Sequence, residues 1–230
     1  MLHFSQKIFC RFLFCFLVIL SIAAPGSAFA VDTLQGIKNG LHSSSWKDRL
    51  AAVEKLGKRR DKEALNILLD VAGTWTEKWP VKIRAIEYLG KARYAKSLEL
   101  LLTIFHNPFR NWACPAIKSY TATALGNFKG NQEVVDTLIS GTGDSELLVR
   151  EASVRSLGKI GDPQAVPYLI KLLKDPNVSI RLSVVKALGE IGDPGAIPDI
   201  RHVLKNERDS VVINEALTAL NNVREKIKAD

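Results

Sequence analysis

Few side chains in this chain stand where a reaction would need them. Beyond residue 30 there are three histidines, His42, His106 and His202. They lie far apart, and none has a second His, Cys or carboxylate at metal-ligand spacing. There is no glycine-rich phosphate loop, no Gly-x-Ser-x-Gly elbow and no Cys-x-x-Cys. Asp61 and Glu63 are close in sequence, but they sit at a helix start, where acidic residues favour the helix dipole. Cys114 lies between Ala113 and Pro115 with no neighbouring base, so a buried, inert thiol is expected, with an intermolecular disulfide as the alternative. The sequence predicts no catalytic residue, no cofactor and no metal site.

Residues suited to recognition are easier to find. Trp75 and Trp79 flank Thr76-Glu77-Lys78, and Trp112 follows Arg110 and Asn111. With Arg84 these residues form a candidate aromatic-basic edge, because Trp and Arg bury large areas at small entropic cost. The structural alternative is that tryptophans at junctions only cover helix ends. Charge marks the same half of the chain. Residues 31–130 carry 17 Lys+Arg against 9 Asp+Glu, whereas 131–230 carry 13 against 15. Trp46, Trp75, Trp79 and Trp112 all fall in the basic half. The two halves therefore face different surroundings.

The elements that must position these residues repeat. Leu56, Leu89, Leu125, Leu157, Leu188 and Leu220 each sit in a similar helical phrase, spaced by 33, 36, 32, 31 and 32 residues. A self-similar period in this range means stacked units rather than one central core. Each unit reads as two antiparallel helices. In the clearest copy Ala165–Leu173 is amphipathic, Asp175-Pro176 breaks the chain, and a second helix runs from about Val178 to Ile191. Gly161 and Gly192 supply left-handed helix ends, and Asp162-Pro163 and Asp193-Pro194 start the next helix.

Two other features recur with the leucines. Asp144 with Arg150 and Asp175 with Arg181 are six residues apart, and Ser43 with Arg49 and Thr76 with Lys82 keep the pattern. These resemble repeated ligand sites. The structural expectation is preferred: the oxygen caps the second helix and the cation ties neighbouring turns. With each leucine in the core, the residues two before and two after it face outward. The earlier position reads Glu54, Glu87, Thr123, Arg155, Lys186, Thr218, and the later one Lys58, Lys91, Asn127, Lys159, Glu190, Asn222. A ridge that tracked a phosphate backbone would be basic at most of these positions. This one is mixed, so Glu54, Glu87, Arg155 and Lys186 join the tryptophan edge as candidate protein-binding residues.

The phrase Arg, small residues, Leu-Gly, Ile-Gly-Asp-Pro resembles the HEAT-like repeat of the phycobilisome-lyase type. It is best matched over 144–206, and well over 47–58 and 82–91. Around Leu125 it departs, with Tyr120 and Thr121 in place of small residues, and the last copy has Ile213 and Asn221 where a cation and glycine stood. The resemblance implies an all-α, right-handed solenoid of about six helical hairpins over residues 31–230, with the second helices lining a concave face. It also raises a tetrapyrrole- or bilin-lyase activity and, from the HEAT-like DNA glycosylases, binding to polyanions or nucleic acid. The related deoxyhypusine hydroxylases hold iron through repeated His-Glu pairs. No His-Glu dipeptide occurs here, so that activity does not carry over.

Residues 1–30 predict a signal peptide: Lys7 and Arg11, an apolar run from Phe12 to Ala24, Pro25-Gly26, then Ala28-Phe29-Ala30. The run is short against the ~20 residues that span a bilayer, which leaves an uncleaved anchor as the alternative. The sequence thus predicts an exported, periplasmic or secreted, non-enzymatic scaffold. It would bind an unidentified protein partner, acidic in chemistry, through its concave face and the basic tryptophan-bearing edge. The lyase-like and polyanion-binding functions stand as alternatives.

Overall fold

The computed structural model describes residues 33–107 and 114–229. The expected signal peptide, and with it the question of cleavage or anchoring, lies outside the described residues. Within them the chain forms twelve α-helices in six hairpins. They are α1 (Leu34–Leu41) with α2 (Trp46–Arg59), α3 (Lys62–Gly73) with α4 (Trp79–Ala92), and α5 (Ser97–His106) with α6 (Pro115–Leu125). The carboxy-terminal three are α7 (Gln132–Gly141) with α8 (Leu147–Ile160), α9 (Val166–Lys171) with α10 (Val178–Ile191), and α11 (Ile197–Asn206) with α12 (Ser210–Ala229). The expected all-α solenoid is the fold found. No helix among the described residues is long and apolar enough to cross a membrane.

The hairpins stack because their second helices fit closely. Leu56, Leu89, Leu125 and Leu157 are fully buried, as is Leu188, and Leu220 is nearly so. The glycine after each of the first five leucines faces the residue just before the next leucine. A Cβ on Gly90, Gly126, Gly158 or Gly189 would lie 2.6–2.8 Å from Ala124, Ser156, Ala187 or Ala219. Real side chains do not approach so closely, so only glycine lets the backbones come together. Ser156 uses the proximity to donate a buried hydrogen bond to the Ala122 carbonyl, 2.9 Å away. Successive second helices are in contact along the whole row, while successive first helices scarcely touch. A stack that is tight on one layer and loose on the other must curve towards the tight layer. That places the second helices on the concave side.

Electrostatics pins the same junctions. The oxygens expected to cap the second helices act one step earlier. Asp144 Oδ1 accepts from Glu146 N at 2.9 Å and Asp175 Oδ1 from Asn177 N at 2.8 Å, so each closes the turn that leads into the helix. The arginine six residues on then donates Nη1 to the carbonyls of that turn. Arg150 reaches Asp144 and Ser145, Arg181 reaches Asp175 and Pro176, and Arg49 reaches Ser43 and Ser44, all within 3.2 Å. The other edge of the guanidinium crosses to the next unit. Arg49 grips both oxygens of Glu77 at 2.9 Å, and Arg181 grips those of Glu207 at 2.7 and 3.2 Å. Lys118 meets Asp144 in the same register at 2.5 Å, and Lys82 occupies the register fully buried.

Arg181 first, then the Asp209 N–H, holds the Glu207 carboxyl at about 2 against an ordinary 4.5. The unfolded chain therefore binds the proton more readily than the folded one. The stabilisation is complete above about pH 4.5 and is lost as the pH falls from there towards 2. Glu207→Gln should flatten that stretch of an acid-unfolding curve followed by circular dichroism. In the seam, Leu157→Ala should cost ~2–5 kcal/mol through a cavity. Gly158→Ala should cost about 1–3 kcal/mol by forcing α8 and α10 apart. Both are read as a lower urea midpoint.

Candidate interaction surface

The concave ridge divides into two parts of different character. At the amino-terminal end, Tyr88 of α4 lies across Gly57 of α2, where any side chain would collide with its ring. From there its hydroxyl donates to Glu54 Oε2 at 2.6 Å. Arg84 completes the group, with Nε 2.9 Å from Glu54 Oε1 and Nη1 2.9 Å from Glu87 Oε2. Lys91 Nζ lies 5.8 Å from the centre of the Tyr88 ring. Glu54 and Glu87 are thus brought together, and the cation between them neutralises much of their charge. Burial, and then the Glu54 carboxylate, push the Tyr88 phenol above its ordinary 10.0.

The tryptophan edge is assembled only in part. Trp75 lies in the turn before α4 and Trp79 is the first residue of that helix; they are 49% and 55% exposed. Arg84 does not join them. At ~100° per residue, five residues carry it roughly 140° round the helix from Trp79, and it belongs to the ridge instead. Arg110 and Trp112 lie outside the described residues. Trp46 opens α2 and is also exposed.

Towards the carboxy-terminal end the ridge opens into two adjoining depressions. One, of about 430 Å³, lies between α8 and α10 and is lined by Arg155, Lys159, Ser183, Lys186 and Glu190 over the bare backbone of Gly158. Arg155 and Lys186, chosen from sequence, meet here. The other, of about 380 Å³, lies between α6 and α8 and holds Tyr120, Thr123, Leu148, Glu151 and again Arg155. Tyr120 and Leu148 are 41% and 57% exposed. Leu148 carried no sequence signal, since its place in the repeat is held by unrelated residues. Tyr120 did carry one, as the bulky residue where the repeat has small ones. A third opening of about 770 Å³ separates the outer helices α9 and α11, with the Arg181–Glu207 pair in its wall.

Among the described residues no three of His, Cys, Asp or Glu converge as a metal ion would require. What the surface offers is an extended, rigid row of side chains of mixed charge, interrupted by apolar and aromatic residues.

Fold and surface together define a helical-repeat solenoid. The HEAT repeats family matches residues 34–113, 109–180 and 148–221, and this chain belongs to that family. No curated protein matches it in sequence. Among solved structures it is similar to a designed armadillo repeat protein in complex with peptide (KR)4. The TM-score is 0.59 at 16% identity, covering 83% of this chain and 99% of that one. It is also similar to the complex of CpcE and CpcF of phycocyanin lyase from Nostoc sp. PCC7120, with a TM-score of 0.56 at 20% identity over 84% of this chain and 88% of that one. Identities this low show a shared fold.

One measurement isolates the amino-terminal network. In an alkaline absorbance titration of the chain's four tyrosines, Tyr88→Phe should remove a component that ionises above pH 10. Glu54→Gln should bring that component down.

Proposed function

We propose that this protein is an exported, non-enzymatic scaffold that binds a partner protein through its concave ridge and the tryptophan-bearing edge of its basic half. The observation that carries this reading is the exposure of Trp75 and Trp79 at 49% and 55% on a frame held rigid by helix packing and ion pairs. Large aromatic side chains in water are costly unless something covers them. Preorganised anchors also lose little conformational entropy when it does. The designed armadillo repeat protein of similar fold holds a peptide, which illustrates what such a frame accommodates. Export rests on residues 1–30, whose basic start, apolar run and Ala28-Phe29-Ala30 are those of a cleaved signal.

Two measurements test the reading. Amino-terminal sequencing of the protein recovered outside the cytoplasm should begin at Val31. A Trp75→Ala/Trp79→Ala double variant should keep wild-type helicity by circular dichroism. It should also lose most of the partner captured by the wild type from its native envelope, as quantified by mass spectrometry. Unfolding of the double variant would assign the tryptophans to packing, and unchanged capture would move the interface elsewhere.

A further inference from the structure

The two carboxy-terminal depressions share Arg155 and form one groove whose ends differ in chemistry. Over α6 and α8 the groove leaves Tyr120 and Leu148 exposed, beside Thr123 and Glu151. Over α8 and α10 it holds three cations, Arg155, Lys159 and Lys186, against one carboxylate, Glu190. These cations are weakly held. Lys186 makes no ion pair or hydrogen bond among the described residues. Lys159 meets only the neutral Asn127 amide, at 2.6 Å. Arg155 pairs with Glu151 one turn away on its own exposed helix face, 2.9 Å apart, a contact that exchanges readily for another anion. At the register where Arg49, Arg150 and Arg181 stand, cations are spent on carboxylates and carbonyls; here three of them gather in one depression with a single carboxylate.

We infer that this groove takes an extended segment of a partner protein carrying an apolar side chain and, three residues further on, carboxylates. The assignment rests on the scaffold reading and names the chemistry of its ligand. Charge complementarity sets the acidic end, and exposed Tyr120 and Leu148 set the apolar one. The spacing follows from geometry. Packed helices lie ~8–10 Å apart, which is also the step from one depression to the next. A polyproline-II segment rises about 3.1 Å per residue and returns to the same face every third residue, so its side chains at i and i+3 are separated by one such step. A β-strand, with its period of two, would turn one of the pair away from the groove.

The test is fluorescence anisotropy on the purified protein with a labelled peptide that carries one phenylalanine and, three residues on, two glutamates. Saturable binding is expected, weakening with salt. Lys186→Glu should lower the affinity on the order of tenfold, as loss of a charge-assisted contact does. The same variant should gain affinity for the peptide with lysines in place of glutamates. Tyr120→Ala should weaken binding independently. Lys186 and Tyr120 are exposed, and circular dichroism checks that each variant folds. Binding that ignores both substitutions, or that is unchanged when the phenylalanine is moved one residue, would overturn the assignment. So would heparin competing equally well with a peptide lacking phenylalanine. Failure of this peptide together with intact, tryptophan-dependent partner capture would overturn the groove's ligand and leave the scaffold standing.

Discussion

The structure depends on how closely one row of helices can approach. Gly90, Gly126, Gly158 and Gly189 bring successive second helices to a separation at which a single methyl group would collide with the neighbour. Everything else follows from that contact. The leucines beside the glycines are sealed from water, the outer helices splay, and the row bends so that its tight layer faces inward. Dispersion across such a seam is small per atom pair and large in sum. The seam also explains why small residues, and not merely apolar ones, dominate the repeat phrase.

Charge follows a second rule laid over the first. Arg49, Lys118, Arg150 and Arg181 stand at one register of the repeat and are used structurally, fastening an entry turn, the next unit or both. A half-buried guanidinium with several acceptors in fixed positions specifies one register between neighbours. Because the frame consumes its cations in this orderly way, cations outside the register stand out. Arg84 is absorbed by two glutamates on the ridge. Lys159 and Lys186 are not absorbed by any carboxylate, and they lie together.

Much of this was legible in the sequence, and the limits have physical causes. The period of the leucines indicated the hairpin count, and Gly161 and Gly192 marked the helix ends, whereas Asp162-Pro163 and Asp193-Pro194 open a short 3-10 turn and the α-helix begins three residues later. Arg84 shows where such reasoning stops. Its neighbours in sequence suggested the tryptophan edge, while the helical twist sent it to the ridge, where its partner Glu54 lies in another unit. The bridging roles of Glu77 and Glu207 were likewise invisible, because contacts between units depend on how hairpins lean on one another. Leu148 became notable only once the shape of the ridge left it uncovered.

The ends of the second helices are not alike. In units four and five the chain leaves through Gly161 and Gly192, with φ of 80° and 76°. In units one and two the same left-handed turn is made by Arg60 and Arg93, with φ of 56° and 49°, at a cost of roughly 1–2 kcal/mol each. In a quasi-one-dimensional array coupled only between nearest neighbours, such local costs stay where they arise. The cost at Arg60 and Arg93 therefore falls on the first two hairpins alone, and the units that end on glycine are spared it.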